Sequence, residues 1–304
     1  MKYIITGSLG HISKPIVTAL VKAGHAVTVI TSSQDRAKEI VSLGAIPAVG
    51  SVEDKAFLTS AFSGADAVYT MVPPAFNVEH WQEYIGQIGK NYAAAVKANK
   101  IKYVVNLSSM GAHMASGGGP ISGLHKAEEA LNALTDVNIK HLRPSYFYLN
   151  LLSNVNLIKN AGIMGSNFGF SEKKFTLVHP DDIAVVATEA LLHLNFTGHT
   201  VQYIVSDEVS TDDIAATFGK AINQPGLKWV TFTDEQALQG GIQAGLTEEV
   251  SKNYAEMGNS INSGRMAEEY WAAHPPVSGK IKLADFAKIF AAVYNGSTAA
   301  VPAH

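Results

Sequence analysis

The stretch Met1-Lys2-Tyr3-Ile4-Ile5-Thr6-Gly7-Ser8-Leu9-Gly10-His11-Ile12-Ser13-Lys14-Pro15 decides how the rest of the chain is read. Tyr3 to Thr6 is a short apolar run, the pattern of a strand buried on both faces. Gly7, Gly10 and Ser13 follow at three-residue spacing, and Pro15 to Ala23 reads as a helix. Pro15 falls in its first turn, where a missing N–H costs little. A glycine at position 7 lets the chain turn sharply. One at position 10 leaves no Cβ between the backbone and an approaching pyrophosphate. The helix behind offers unpaired N–H groups and a positive dipole end. Ser13 stands where a third glycine is common, and a small residue still lets helix and strand pack closely. The triplet gains weight from its place between a first strand and a first helix. Gly7, Ser8, Leu9, Gly10, His11 and Ile12 are therefore expected to hold the diphosphate of a nicotinamide dinucleotide.

The end of the second strand, Ala26 to Thr31, chooses between cofactors. An acidic residue there would accept from the ribose 2′-hydroxyl of NAD. This chain has Thr31, Ser32 and Ser33, then Arg36 and Lys38. Hydroxyls and a guanidinium suit the 2′-phosphate of NADP. NAD stays open, because Asp35 is nearby.

Outward from this turn, strand and helix patterns alternate. Gln34 to Leu43 reads as a helix, Ile46 to Val49 as a strand, Lys55 to Phe62 as a helix and Ala67 to Met71 as a strand. Glu79 to Ala98 is a long amphipathic helix, and Tyr103 to Leu107 a β-branched strand. Apolar strands recurring between helices mean a parallel sheet covered on both faces. The second half is less regular. Ile139 to Arg143 reads as a strand stopped by Pro144, and Tyr146 to Asn160 as one helix. Pro180 to Leu192 reads as a helix with acids in its first turn, Val201 to Val205 and Leu227 to Thr233 as strands. Ser210 opens a helix with Asp213 three residues on. Asp234 to Gly264 reads as two polar helices broken near Gly245, and the tail after Asn295 should fray. The expected class is α/β: a Rossmann-type doubly wound parallel sheet with a smaller C-terminal α/β substrate lobe. Residues 1–150 form the dinucleotide-binding domain; 151–304 complete the sheet and build the lobe.

Composition narrows the function. The chain has 304 residues, 47% hydrophobic and only 16% charged, as expected of a compact soluble protein rather than a disordered one. With 23 basic and 26 acidic residues the net charge is −3, so nothing grips a nucleic acid backbone. No cysteine is present, which excludes disulfides, thiolate catalysis and thiolate metal sites. The histidines lack metal-ligand spacing and no metal is expected. No Gly-x-Ser-x-Gly elbow occurs, so hydrolase chemistry has no nucleophile. No apolar run is long enough for a membrane span, and the cytoplasm is the expected location. The sequence does not fix the oligomeric state; a homodimer is one option.

Several segments carry a resemblance: Thr6 to Ser13; Met71-Val72-Pro73-Pro74; Leu107-Ser108-Ser109-Met110-Gly111-Ala112-His113; His125 to Leu131; Leu142 to Asn150; and Val178 to Leu192. In this order the chain resembles the NmrA-like atypical short-chain dehydrogenases, and is similar to bacterial NAD(P)H-dependent quinone and azo reductases. The resemblance implies that Met71, Val72 and Pro73 line the adenine or ribose side of the cofactor. It implies that Ser108, Ser109 and Pro144 approach the nicotinamide, and that Met110, His113, Tyr146 and Phe147 face the substrate. Of Tyr146, Phe147 and Tyr148, about one should face the pocket and the others pack.

Short-chain dehydrogenases donate a proton from Tyr in a Tyr-x-x-x-Lys pair. Lys126 could fill the Lys role, but Ser122 stands four residues earlier. A serine lacks the acidity, so His125 becomes the candidate acid and His113 a second one. Glu128 and Glu129 read as solvated positions or partners of Lys126. A quinone-like acceptor needs less from the protein, because its developing anion is delocalised. The expected activity is therefore NADPH-dependent hydride transfer to a quinone-like or other conjugated acceptor. The alternative is a non-catalytic NADP-binding redox sensor that acts through a protein partner. Gly117-Gly118-Gly119 reads as a plain loop or a lid near the site.

Overall fold

A computed structural model describes residues 1–297. In chain order its first half holds β1 (Lys2–Ile5), α1 (Ser13–Lys22), β2 (Ala26–Thr31), α2 (Gln34–Ser42), β3 (Ile46–Val49) and α3 (Lys55–Ala61). There follow β4 (Ala67–Met71), α4 (Trp81–Ala98), β5 (Tyr103–Leu107), α5 (Pro120–Asn132), β6 (Asn138–Pro144) and β7 (Tyr146–Phe147). The second half holds α6 (Asn154–Ala161), β8 (Met164–Ser166), β9 (Phe175–Val178), α7 (Pro180–His193), β10 (His199–Ile204) and β11 (Asp207–Val209). It ends with α8 (Thr211–Ala221), β12 (Trp229–Thr231), α9 (Asp234–Gln243), α10 (Glu248–Asn262), α11 (Glu268–Ala273) and α12 (Leu283–Tyr294). The expected fraying beyond Asn295 concerns residues that, from 298 on, lie outside the described ones.

Seven strands form one parallel sheet in the order β3-β2-β1-β4-β5-β6-β10. Strand β1 shows why its sequence is apolar throughout. Tyr3 and Ile5 pack with Ile16, Val17 and Leu20 of α1 and with Ala187 of α7. Ile4 packs on the other face with Leu58 of α3 and Tyr92 and Val96 of α4. A strand covered on both faces has no solvent side, so period-2 alternation disappears. The order reverses between β1 and β4, and the crevice beyond their carboxyl ends is where ligands of such sheets lie. The last strand, β10, comes from the second half of the chain and pairs with β6 over six residues, His199 to Ile204.

The remaining segments build a separate layer at the carboxyl edge. Strands β7, β9 and β11 form a three-stranded sheet, and β8 pairs with β12. Its core joins Tyr148, Phe168, Phe175, Phe218, Phe286 and Phe290. Helix α8 starts at the capping box that Ser210 and Asp213 suggested, each side chain bonding the other's backbone N–H. Asp182 in the first turn of α7 does more than face the dipole. It is buried, accepts from the Ser206 hydroxyl at 2.7 Å, and takes the backbone N–H groups of Lys280 and Ile281 at 3.0 and 3.1 Å. It thereby ties the segment before α12 to α7 and to the turn after β10. Among the described residues no helix is long and apolar enough to cross a membrane.

One expected element is replaced. Tyr146 to Asn160 is not one helix: Tyr146 and Phe147 form β7, paired with Leu177 and Val178, and Tyr148–Ser153 is a 3₁₀ turn leading into α6. The reason is a partner distant in sequence. Strand β9 offers backbone hydrogen bonds that local periodicity does not reveal, and two aromatics suit a strand as well as a helix.

Candidate functional site

The turn after β1 uses its two glycines differently. Gly7 has φ +84°, and a Cβ there would lie 2.8 Å from Ser13 Oγ and 2.9 Å from Met71 Cγ. The fold itself requires that glycine. At Gly10 a Cβ would meet only the Gly7 carbonyl oxygen, at 3.4 Å. The protein leaves room there, on the side where a diphosphate would approach. Ser8 also takes a positive φ, and its N–H donates to the Ile30 carbonyl at 3.1 Å. Leu9 and Ile12 are buried in the core and anchor the turn from below. Ser13 Oγ donates to the Thr6 carbonyl at 3.0 Å, so the substitute for a third glycine staples helix to strand. Helix α1 begins with no side-chain cap and no acid in its first turn. In its first turn the Lys14 and Ile16 N–H groups donate to the Gly10 and Ile12 carbonyls and Pro15 has none, so what the helix offers an anion is chiefly its positive dipole end. His11 lies half-buried on the same turn.

The end of β2 adds charge. Thr31 is buried; its Oγ1 accepts from Ser8 Oγ at 3.0 Å and from the Ser33 N–H at 3.2 Å. That hydroxyl braces the turn, while Ser32 is exposed and Ser33 half-buried. Arg36 Nη1 reaches Glu39 at 3.2 Å, and Lys14 Nζ reaches the other oxygen of the same carboxylate at 2.8 Å. The Lys14 hydrogen bond, with Arg36 behind it, holds the Glu39 carboxyl below its ordinary pKa. Lys14 and Arg36 thus share one carboxylate of α2, the helix that Ser33 precedes. Lys14 escaped the reading of the sequence, although it follows the turn directly.

Beyond β4, the Met71 N–H donates to Thr6 Oγ1 at 2.9 Å and its carbonyl accepts from Tyr92 Oη at 2.7 Å. These bonds fix the start of Met71-Val72-Pro73, all half-buried, with the Met71 side chain against Gly7. Beyond β5 and β6 the backbone continues to pair: Ser108 N–H to the Leu142 carbonyl at 2.8 Å, Met110 N–H to that of Pro144 at 2.9 Å, and Ser145 N–H to that of Ile204 at 3.0 Å.

The segments that follow β5 and β6 open onto a cavity of about 620 Å³. Ser108, Ser109, Met110, Tyr146 and Phe147 line it, so both aromatics face the cavity where one was expected. Tyr148 is the one that packs, buried with its hydroxyl on Asp207 at 2.7 Å. The hydroxyl oxygens of Ser108 and Ser145 are buried and have no hydrogen-bond partner among the described residues. The opposite wall comes from remote segments: Phe170, Phe175, Met257, Met266 and Trp271. Arg143 helps carry Trp271 there. It forks onto Glu128 of α5 at 3.0 and 2.7 Å and reaches Glu269 of α11 at 2.9 Å. Burial works against its charge, but Glu128 and Tyr203 outweigh that and raise the guanidinium pKa. Glu128, read as solvated, is instead buried in this pair.

Helix α5 presents Ile121 and Leu124 to the cavity. At 3.6 residues per turn, Lys126 is carried to nearly the opposite side of the helix from Leu124. It lies over Gly86 of α4 and pairs with Glu83. His125 turns its Nδ1 to the Ala112 carbonyl at 2.8 Å and its Nε2 towards Glu129 at 3.6 Å. A carbonyl only accepts, so Nδ1 carries the proton. Ser122 is fully buried and its Oγ accepts from the Gly118 N–H at 3.1 Å. His113 pairs with Glu268 and Glu269 at 3.2 and 3.7 Å. None of Lys126, His125, Ser122, His113 and Pro144 is in the cavity wall. The Gly117–Gly119 segment is clamped: Gly119 N–H donates to Glu256 Oε2 at 3.0 Å, and a Cβ at Gly119 would lie 2.0 Å from the Asn253 carbonyl oxygen.

Sheet order, switch point and glycine turn define a Rossmann-type α/β protein. More narrowly, the chain belongs to the NmrA-like family, whose model matches residues 2–270. Its fold is similar to that of an NADPH-dependent quinone oxidoreductase from Escherichia coli, solved with NADPH (TM-score 0.75, 18% identity, covering 94% of this chain and 98% of that one). It is also similar to a triphenylmethane reductase from Citrobacter sp. (TM-score 0.76, 14% identity, 96% and 99% covered), which has also been solved with NADP(H). A nucleoside-diphosphate-sugar epimerase from Staphylococcus aureus shares the fold at TM-score 0.76 and 11% identity, covering 95% and 100%. A 4-hydroxy-2-methyl-3-oxo-4-farnesyl-3,4-dihydroquinoline-1-oxide ketoreductase from Stigmatella aurantiaca is 29% identical over 69 residues. That match spans 23% of this chain and 21% of the relative, about a fifth of its length.

Proposed function

We propose that the protein is an NADPH-dependent reductase that transfers hydride to a quinone-like or other conjugated acceptor. One observation carries the reading: an apolar cavity, floored by two buried hydroxyls with no hydrogen-bond partner among the described residues, opens beyond β5 and β6, at the same end of the sheet as a glycine turn that leaves space for a diphosphate. The residues fit NADPH. The uncapped α1 and Gly10 suit the diphosphate, and Lys14, Ser32, Ser33 and Arg36 suit the 2′-phosphate. Bound NADPH would supply the hydride.

The chain's own residues hold and shield the acceptor. Ser108 and Ser145 donate to an acceptor oxygen, where negative charge develops as the hydride arrives. Phe147, Phe170, Phe175 and Trp271 cover a flat ring and exclude water, which strengthens those hydrogen bonds. The proton that completes the reduction comes from solvent. Lys126 and His125 face elsewhere. Tyr146 does line the cavity, but burial, with Tyr254 nearby, holds its phenol above its ordinary pKa, so it stays protonated. An acceptor whose charge is delocalised needs no stronger acid.

The absence of Lys126 and His125 from the cavity wall also favours a second reading, a redox sensor that binds NADP without turnover and acts through a protein partner. One experiment separates the two. NADPH oxidation is followed against quinones, azo dyes and enones, and the affinities for NADPH and NADP are measured in parallel. Turnover above solution background with quinones supports the reductase. No turnover with unequal affinities supports the sensor, since a ligand that binds both states equally shifts nothing. No turnover with equal affinities sinks both.

A further inference from the structure

The wall of the cavity has an uneven charge. Among the described residues, its only ionised side chains are Lys173 and Lys174, and no carboxylate lines it. Both lysines are exposed, whereas Ser108 and Ser145 are buried, so the hydroxyls mark the closed end and the ammonium groups the mouth. Lys173 has no ion-pair partner among the described residues. Lys174 comes no nearer than 3.9 Å to Glu208, and that carboxylate already accepts from Tyr270 Oη at 2.6 Å and faces His274 at 3.2 Å. Two cations at the mouth of an apolar, low-dielectric slot attract and orient anions more strongly than the same charges on an open surface. They lie far along the chain from the Gly7–Ser13 turn, in the layer that holds the aromatic wall.

From this placement we infer that the preferred acceptor is a planar conjugated ring carrying an anionic substituent, a sulfonate or carboxylate. The anion lies at Lys173 and Lys174, and the reducible oxygen lies at Ser108 and Ser145. The inference rests on the reductase reading and deepens it. The anion takes no part in bond making. The acceptor gains one hydride from NADPH and one proton from water, leaving NADP and the reduced ring.

The test compares ortho-naphthoquinone with its ring sulfonate, in the wild type and in the double variant Lys173→Gln/Lys174→Gln. Using the ratio of kcat/KM for the pair cancels their different intrinsic reactivity. The ratio of sulfonate to neutral quinone should fall roughly tenfold in the variant, through KM, since each exposed charge contact is worth a factor of a few. In the wild type it should fall as NaCl rises, because salt screens exposed charge. An equal ratio in both proteins overturns the inference and leaves the reductase standing. A second arm needs no turnover: calorimetry with naphthalene sulfonate, which cannot be reduced. If neither quinone is reduced but this probe binds the wild type more tightly than the variant, the reductase reading fails and the anion site stands. If the variant weakens NADPH as much as the probe, the lysines serve the cofactor and the inference falls.

Discussion

The diphosphate turn and the acceptor cavity are built from different materials. The turn is a backbone site: seven consecutive residues, two glycines with distinct jobs and a helix end left uncapped. The cavity is a side-chain site, gathered from the segments after β5 and β6, β7, β9 and the approach to it, α5, α10 and α11. A backbone site constrains residue type at fixed spacing, because only glycine gives room or a positive φ. A side-chain site asks only for apolar bulk at each position. Many residues satisfy that, and no spacing marks it.

The sharpest way to break this contrast is Gly10→Val. A Cβ there meets only the Gly7 carbonyl oxygen, at 3.4 Å, and a branched side chain would fill the approach to the backbone. NADPH affinity should fall about a hundredfold or more while the fold persists, an overlap cost of about 3 kcal/mol. Unchanged affinity, measured by fluorescence titration, would mean that the turn holds no dinucleotide. Gly7→Ala sharpens the same point from the other side. It should lower the melting temperature of the cofactor-free protein, by about 1–3 kcal/mol of stability, because φ +84° and the Ser13 contact belong to the fold.

The turn follows β1 and the cavity lies beyond β5 and β6; one buried polar chain braces β4, β5 and β6 within the same sheet. Thr70 Oγ1 donates to Asn106 Oδ1 at 2.9 Å, Asn106 Nδ2 to His141 Nδ1 at 3.0 Å, and His141 Nε2 to Asn132 Oδ1 at 2.9 Å. This pattern needs a neutral ring protonated at Nε2. Burial pushes the His141 pKa down from 6.5 to about 4. A histidine held neutral in the fold stabilises it fully above its unfolded pKa. That contribution is lost as pH falls from about 6.5 to about 4, some 3 kcal/mol in all. Urea midpoints across this window should fall in the wild type and flatten in His141→Gln. Equal slopes would remove the brace from the account.

Arg36→Ala should weaken NADPH by about 1.5–3 kcal/mol, the worth of a charge-assisted contact, and leave NADH unchanged. Equal effects on both cofactors would show that the selector lies elsewhere, with Lys14→Ala the next variant to measure. The smallest expected effect belongs to Lys126→Ala. Its partner Glu83 is exposed and its side of α5 faces away from the cavity, so cofactor affinity and turnover should change by less than about 0.5 kcal/mol. A large loss of turnover would return the lysine to the chemistry.

The sequence by itself determined the parallel sheet and the turn. Strands such as Ala26–Thr31 and Tyr103–Leu107 are apolar because helices cover both faces, and that signal is local. The capping box at Ser210 and Asp213 was legible for the same reason. Only the tertiary structure decided the rest. Tyr146 and Phe147 became a strand because β9, some thirty residues away, offered them hydrogen bonds. Gly119 is needed because the Asn253 carbonyl oxygen would lie 2.0 Å from a Cβ there, a neighbour the sequence does not announce. Lys126 and His125 looked catalytic by spacing, but the packing of α5 turned Ile121 and Leu124 to the cavity instead. Local hydrogen bonding and backbone sterics act between near neighbours and leave their mark in sequence. The direction a helix face takes is set by everything packed against it, and that sum exists only in the folded chain.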